Sequence, residues 1–304
     1  MPVRPRRTGL LVLAGVLVLV LLGGIAVVVA WLGGAAGRPA PAAVAQTTIG
    51  TTPPAATGAV GEAGGAAPSD TPSGTTSGGA SQPADPALVA ADEFTGSAVD
   101  TGRWGVYTST AANGSRWLPA QVRVAGGELQ VVGAGRNPTG AGNVSGGLCW
   151  CDPTGNRTYG RWQVRAKLDA GAGYGHVIGL WPRSDQQTDG SITFVGTPEG
   201  DRKTLHGYVV WFAGTSRKFD ERKLPGDFTG WHTYTLEWRA TFVKMWVDGA
   251  LFYDSTTSPG VVVPHVPMHS FLQQMVGPQG GIPAPDANTP DQVLTHVDWV
   301  RMYR

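Results

Sequence analysis

Short runs of alternating apolar and polar residues, separated by Gly, Pro, Asn and Asp, fill the sequence from Val89 onward. In Trp231–Ala240, for example, His, Tyr, Leu and Trp occupy every second position. A repeat of two places these side chains on one face of a β-strand and their neighbours on the other. Thr241–Val247 alternates in the same way, and the Asp248-Gly249 pair after it predicts a tight hairpin turn.

The same pattern predicts most of the remaining strands, and no run after residue 89 has a helical period. Many short strands with Gly/Pro turns are typical of an all-β sandwich or jelly roll, and such domains can reach roughly 200–250 residues. We therefore assign residues 89–304 to one all-β domain, which holds every tryptophan except Trp31. The further predicted strands are Gln121–Val124, Glu128–Val132, Tyr159–Leu168, Tyr174–Trp181, Ser191–Val195, His206–Phe212, Ala250–Tyr253, Met268–Val276 and Leu294–Tyr303.

Acidic and basic residues are equal in number within residues 89–304. A domain with no net charge is a poor electrostatic partner for nucleic acid or for anionic lipid. We therefore expect no nucleic-acid partner, and we expect a monomer that binds a neutral ligand.

The N-terminal region predicts a membrane anchor. Residues 9–33 contain no charged residue and are long enough to cross a hydrocarbon core of about 30 Å. Arg4, Arg6 and Arg7 precede this segment, so residues 1–8 are expected in the cytoplasm and the domain outside the cell membrane. The alternative is a signal peptide cleaved after Ala43-Val44-Ala45, although its apolar region should then be shorter, roughly 7–15 residues.

Residues 34–88 predict a disordered linker. They are rich in Gly, Ala, Pro, Ser and Thr, and they contain no aromatic residue. Such a segment buries too little apolar surface to offset its ordering entropy. As a flexible coil it would reach roughly 40 Å.

The chain has two cysteines, Cys149 and Cys151, separated by Trp150. They could form a local disulfide outside the cell or remain two buried thiols, and the sequence leaves both alternatives open.

Six segments of the domain follow one another in a fixed order: Asp92-Glu93-Phe94, Tyr159–Ala166, Gly179–Pro182, Trp231–Trp238, Val247-Asp248-Gly249 and Val297–Tyr303. Together they resemble the family 16 glycoside hydrolases, the laminarinase and lichenase type of β-glucanase. The resemblance implies a concanavalin A-like β-jelly-roll sandwich whose concave face forms a groove for a β-linked glucan or galactan.

The family's catalytic signature, Gly-Glu-Ile-Asp-x-x-Glu, is altered at the matching segment Gly190–Gly196. Ser191 stands at the nucleophile position, Thr193 at the assisting aspartate and Gly196 at the general acid/base. A retaining glycosidase needs two carboxylates about 5–5.5 Å apart. Because hydroxyls are poor nucleophiles without a neighbouring base, we predict that the hydrolytic machinery is lost.

Four acidic residues near this segment keep a second hypothesis open. Asp185, Asp189, Glu199 and Asp201 could supply displaced carboxylates for hydrolysis of O-glycosyl bonds in β-glucans. They could equally be solvated loop charges.

The resemblance also predicts carbohydrate-binding residues, because flat aromatic rings stack on sugars at low entropic cost. Trp181 matches the groove tryptophan of the family, while Trp117 and Trp150 fall in segments that border the cleft in relatives. Gln273 matches a strand glutamine that faces sugar, with Gln274 making its register ambiguous. His176 shares the strand of Trp181 and could face the cleft or be structural.

The remaining tryptophans of the domain have other predicted roles. Trp211 falls where many relatives carry a histidine, which is a further departure from an active site. The core is predicted to contain Trp162, Trp231, Trp238, Trp246 and Trp299.

Some family members hold one structural calcium, and the matching positions here are Glu93 and Asp298. The alternative is a pair of ordinary edge carboxylates, since calcium takes many backbone and water oxygens. No other cofactor is expected.

These observations favour a membrane-anchored, catalytically degenerate family 16-like domain that binds neutral β-linked polysaccharide. The alternatives are an active hydrolase with displaced carboxylates and a structural envelope module without a sugar ligand.

Overall fold

Two β-sheets, antiparallel except for one short parallel strand pair, pack face to face in residues 84–304, the part of the chain that the computed structural model describes. The predicted cytoplasmic segment 1–8 and anchor 9–33 lie outside these residues, as does nearly all of the predicted linker 34–88. Within the described part, no helix has the length and apolarity needed to cross a bilayer.

The strands follow the chain in this order: β1 Leu88–Asp92, β2 Trp104–Val106, β3 Ser109–Thr110, β4 Arg116–Trp117, β5 Val122–Ala125, β6 Glu128–Ala134, β7 Val144–Ser145, β8 Gly147–Trp150, β9 Gly160–Leu168, β10 Tyr174–Pro182, β11 Ser191–Thr197, β12 Thr204–Ala213, β13 Ser216–Pro225, β14 His232–Trp238, β15 Val243–Val247, β16 Ala250–Asp254, β17 Met268–Val276 and β18 Gln292–Tyr303. Short 3₁₀ turns occur at Pro119–Gln121, Gln187–Asp189 and Ser255–Thr257.

Sheet I contains 11 of the described strands in the order β16-β15-β14-β9-β18-β6-β7-β4-β3, with β1 on β18 and β5 on β6. Sheet II contains the other 7 described strands in the order β13-β12-β11-β10-β17-β8-β2. The predicted all-β sandwich is therefore confirmed.

The hairpin predicted at Asp248-Gly249 joins β15 to β16. Both turn residues have positive φ, 49° at Asp248 and 79° at Gly249. This combination is the one that a two-residue turn needs to match the twist of its strands. The alternation predicted for β14 is also confirmed, because Tyr234, Leu236 and Trp238 belong to the core cluster.

The core lies between the two sheets and combines the inward side chains of both. Trp162 of β9 and Trp238 of β14 stack there with ring centroids 6.1 Å apart. Burying a side chain of this size contributes roughly 1.5–3 kcal/mol. The core prediction is confirmed for these two residues, and Trp246 is also buried.

The core prediction is wrong for Trp231, which is 36% exposed, and for Trp299, which is half-buried. Trp231 immediately precedes β14 and lies on the outer surface, with the Lys167 ammonium 5.6 Å from its ring centroid. Trp299 follows a register shift between Val297 and Trp299 that places it opposite Arg165. An irregularity of one residue reverses the alternation, so Trp299 faces outward.

Strand β13 was not predicted from the sequence. Its residues, Ser-Arg-Lys-Phe-Asp-Glu-Arg-Lys-Leu-Pro, are charged on both faces and have no apolar alternation. It is an edge strand that pairs only with β12 among the described strands, and charged side chains are typical of such edges.

Candidate functional site

The orientation of β10 identifies the face of sheet II that could hold a ligand. His176 contacts Thr295 of β18 in sheet I, with 2.6 Å between Nδ1 and Oγ1, so its side chain points into the sandwich. Side chains alternate along a strand. Val177 and Trp181 therefore point to the outer face of sheet II, which we call the groove face.

The three positions of the altered catalytic signature all lie on the groove face. Thr193 is paired with Gly179 of β10, and Gly196 is paired with Val177. Strict alternation would place residues 193 and 196 on opposite faces, but β11 contains a register shift against Ile178-Gly179. The extra residue returns Gly196 to the face of Ser191 and Thr193.

The three residues that the sequence resemblance aligns with the catalytic acids carry no carboxylate. The Thr193 hydroxyl hydrogen-bonds with Tyr208 of β12, and Thr193 is 3% exposed. Burial raises the pKa of Tyr208, which keeps its phenol neutral. Beside Gly196 is a small depression lined by apolar groups that include Val177, Tyr208 and Ile282. The site can form neutral hydrogen bonds and apolar contacts at these positions.

A histidine between two carboxylates lies directly across from Gly196. His206 of β12 is paired with Gly196 in register and is 2% exposed. Its Nδ1 lies 2.9 Å from Oε1 of Glu221, and its Nε2 lies 3.0 Å from Oε1 of Glu199. Glu199 therefore reaches the groove face although it follows β11 in a loop.

Trp181 is half-buried on the groove face and is paired with His269 of β17. It packs against an apolar cluster that includes Phe271 and Val177. Gln273 is paired with Val177 and so shares this face, whereas Gln274 points inward and donates to the Val293 carbonyl at 2.8 Å. The structure therefore places Gln273 on the groove face and Gln274 in the interior.

Two of the predicted sugar contacts are wrong as direct contacts. Trp150 is 0% exposed and packs against Trp104 in the core, with ring centroids 5.0 Å apart. His176 is also 0% exposed, and both ring nitrogens have partners inside the protein. Burial, together with the nearby charge of Arg202, lowers the pKa of His176 well below its usual value, so the ring stays neutral.

Trp117 offers a ligand little surface, and Trp211 is partly buried. Trp117 packs in the apolar cluster of the groove face, but it is only 6% exposed. Its indole N–H donates to the Gln274 carbonyl at 2.8 Å, so that group is not free for a sugar. Trp211 packs against the interior cluster.

The predicted calcium positions are both engaged in ion pairs. Glu93 accepts from Arg301 at 2.9 Å, and Asp298 lies 3.1 Å from Arg165. Calcium binding there stays a prediction, and a chelator that lowered the melting temperature would support it.

Cys149 and Cys151 form a disulfide on the groove face, which decides between the two alternatives left by the sequence. Phe271 is paired with Cys149, so the disulfide borders the apolar cluster. Burial lowers the pKa of the neighbouring His269.

Sequence reasoning missed His206, Tyr208, Glu221 and His269 as groove-face residues. The available signal was spacing, since His206 and Tyr208 are two residues apart on the predicted strand that follows the altered signature. Because β11 contains a bulge, the sequence alone does not show that Gly196 pairs with His206.

The comparisons with known proteins agree with this fold. The model of the glycosyl hydrolases family 16 matches residues 149–301. The "Beta-glucanase" of Rhodothermus marinus is 30% identical over 254 residues, covering 71% of this chain and 85% of that protein.

Two solved structures share the fold. The catalytic domain of an endo-1,3-beta-glucanase (laminarinase) from Thermotoga petrophila superimposes with a TM-score of 0.62 at 21% identity, covering 72% of this chain and 98% of the other. A Bacteroides ovatus GH16 protein, solved in complex with its G4G4G3G product, gives 0.60 at 17% identity, covering 71% and 100%. With the family match and the curated relative, the conclusion is that this chain belongs to glycosyl hydrolase family 16.

Proposed function

We propose that the groove face of sheet II binds a neutral β-linked glucan without cleaving it. The observation that carries the proposal is the arrangement of Ser191, Thr193 and Gly196. The sequence resemblance aligns them with the family's three acidic positions, and they share one face beside the half-buried ring of Trp181. A retaining mechanism requires a carboxylate nucleophile and a carboxylic acid, and these positions supply neither.

The chemistry of the face fits a neutral ligand. Trp181 presents an aromatic ring, and Gln273 adds an amide on the same face. Rings of this kind stack on the apolar faces of sugars while amides and hydroxyls bond to their edges. The Bacteroides ovatus relative was solved with an oligosaccharide product, which supports a glucan as the ligand class.

We also propose that residues 9–33 anchor the chain in a membrane and that the domain faces outward. The long uncharged segment behind Arg4, Arg6 and Arg7 supports this location. Mass spectrometry of the membrane fraction should find this segment joined to the domain. A soluble mature chain that begins at Gln46 would contradict the anchor and support a cleaved signal peptide.

Hydrolysis through displaced carboxylates is the second candidate function. It is favoured by the contacts of Glu199 and Glu221 with the two ring nitrogens of His206, across from Gly196. In this arrangement both carboxylates are hydrogen-bonded to His206. We therefore rank this function below binding alone.

Substitution of Trp181 tests the binding proposal. Trp181→Ala should weaken glucan binding by about 2 kcal/mol, or roughly 30-fold, because it removes the aromatic ring of the groove face. Isothermal titration with laminarin and lichenan oligosaccharides gives the affinity, and a thermal melt shows whether the fold is kept.

Trp231→Ala is the matched control, because it removes an exposed tryptophan from the outer face of sheet I. Equal losses in the two variants would contradict a site on the groove face. Absence of binding to laminarin, lichenan, agarose and carrageenan by the folded protein would favour the structural envelope module instead.

A prolonged incubation separates binding from hydrolysis. The unmodified protein should release no reducing ends from the same four polysaccharides. Steady release that Glu199→Gln abolishes and Ser191→Ala leaves intact would establish the displaced active site. The reciprocal change Ser191→Glu, Thr193→Asp and Gly196→Glu should give at most slow hydrolysis, because Thr193 is buried against Tyr208.

A further inference from the structure

The disulfide on the groove face lies beside a histidine, His269 of β17. One potential ligand atom from each of Cys149, Cys151 and His269 lies within 4.8 Å of the others, and no other group of three such residues is close enough within residues 84–304. In a tetrahedral zinc site the donor atoms are roughly 3.5–3.8 Å apart. Small side-chain rotations would therefore suffice to surround a cation once the sulfur–sulfur bond is open.

Strand geometry keeps both sulfurs on one face. Cys149 and Cys151 are two residues apart, and the intervening Trp150 points into the core at 0% exposure. Reduction would leave this backbone in place, since Trp150 and its pairing with Trp104 do not depend on the disulfide. A cross-link that spans two residues also restricts the unfolded chain very little, so it contributes little to the stability of the fold.

Asn156 fixes the tautomer of His269. Its amide nitrogen donates to the carbonyls of Cys151 and Asp152, each at 2.9 Å, so its amide oxygen is left as an acceptor. That oxygen lies 3.4 Å from Nδ1 of His269, which must then carry the proton. Nε2 is left with its lone pair, and this is the usual arrangement of a metal-binding histidine.

We propose that Cys149, Cys151 and His269 form a redox-gated site for one Zn²⁺ ion at the edge of the groove. In the oxidised protein the sulfurs are bonded to each other and the site is closed. A dithiol reductant attacks one sulfur, passes two electrons and two protons to the protein, and leaves as its own disulfide. Zn²⁺ then displaces the two thiol protons and binds two thiolates and Nε2.

Three protein ligands leave the fourth position of the ion open. His269 is paired with Trp181, so this open position lies next to the ring that we propose as the glucan contact. A bound metal ion would therefore add a charged group to the groove face, beside the Trp181 ring proposed to contact the glucan.

Cobalt(II) is a suitable probe, because it substitutes for Zn²⁺ and absorbs in the near ultraviolet when thiolate binds it. The full-length chain in mild detergent is reduced with a phosphine, desalted without oxygen and titrated with Co²⁺. The reduced protein should bind one equivalent with a thiolate-to-cobalt band that Zn²⁺ abolishes, while the oxidised protein should show none. This comparison needs no substitution, and circular dichroism should show the same β-sheet spectrum in both states.

Three variants test the assigned ligands. Cys151→Ser should remove most of the band, and His269→Phe should weaken binding at least tenfold. Asn156→Ala removes the acceptor for Nδ1 of His269, together with the two donations to Cys151 and Asp152, and should weaken binding about 10–100-fold with an unchanged band. His265→Phe is the matched control, because His265 is exposed outside the cluster. Absence of the band in the reduced protein, loss of sheet structure on reduction, or binding that survives both ligand variants would overturn the proposal.

Discussion

Arg202 is a charged residue with 0% exposure, and it determines where the loop after β11 lies. Burial lowers its pKa to about 10, so the guanidinium stays protonated at neutral pH. Its N–H groups donate to five backbone carbonyls, those of Asp169, Gly171, Tyr174, Thr197 and Glu199. Through these bonds it connects the loop that carries Glu199 to the turn between β9 and β10.

Arg202→Lys should lower the free energy of unfolding by about 3 kcal/mol, because an ammonium cannot reach the five carbonyls and each charged hydrogen bond is worth roughly 1.5–3 kcal/mol. Urea unfolding measures the change, with Arg183→Lys at an exposed position as the control. A loss no larger than in the control would mean that water replaces the missing donors.

At the scale of elements, β13 forms one edge of sheet II and carries many charged side chains. Lys218, Asp220 and Arg222 lie on one face of this strand, and Arg217, Glu221 and Lys223 lie on the other. The one large apolar side chain between them, Phe219, is 40% exposed and lies under the Arg217 guanidinium. An edge of this composition resists pairing with a second chain.

Replacing Arg217, Lys218 and Lys223 with Thr should therefore promote edge-to-edge association. The strand keeps its β propensity while it loses the charges that oppose pairing. Light scattering should detect larger species than the unmodified protein forms at the same concentration. The same three replacements by Glu should leave the protein monomeric, and association of that variant would point to a cause other than edge pairing.

Histidine–carboxylate pairs connect several elements and make stability depend on pH. His296 of β18 lies between Asp169 and Glu128, and the hydrogen bond with Asp169 is the main reason that its pKa is raised. His232 has a raised pKa chiefly because of Asp248, and the pKa values of both aspartates are lowered in turn.

A group with a raised pKa in the folded state stabilises the fold fully below its unfolded pKa of about 6.5 and loses that contribution as pH rises through the folded value. The lowered aspartate pKa values give a contribution that is lost as pH falls. We expect the urea midpoint to decline as pH rises from about 6.5 and the decline to be smaller in His296→Gln. An identical decline in that variant would show that His296 does not contribute to the pH dependence of stability.

At the scale of the whole molecule, the described chain begins with contacts that hold it to sheet I. The buried Arg161 donates to the Ala84 carbonyl at 3.1 Å and to Asp85 at 2.9 Å, in addition to its ion pair with Glu237. The Arg304 amide donates to the Ala87 carbonyl at 3.0 Å. Because of these bonds, we place the start of the folded domain at Ala84 and not at Leu88, where β1 begins.

A chain that begins at Ala84 should therefore fold alone, show a β-rich circular dichroism spectrum and melt cooperatively. A chain that begins at Ala87 should be less stable by roughly 1.5–3 kcal/mol, because Arg161 loses a charged hydrogen bond to Asp85. Equal melting temperatures would show that Asp85 contributes nothing to the isolated domain.

The sequence predicted the sandwich because the apolar residues of β14 and β15 alternate along each strand. The spacing of two between Ser191 and Thr193 also predicts that they share one face, and both lie on the groove face in β11. The sequence could not predict β13, which has no apolar alternation, or Trp299, whose face depends on a bulge. It also could not predict that Glu199 reaches His206, since that contact depends on how Arg202 holds the loop.

Strand β1 lies antiparallel to β18, which is also bonded to β9 and β6. Any pulling force on the residues before β1 is therefore transmitted first into sheet I, whereas the groove face belongs to sheet II. Under tension the bonds between β1 and β18 share the load, and the surface that carries Trp181 experiences little of it. A domain with this connectivity can be pulled by its N-terminal end while the geometry of its groove face is preserved.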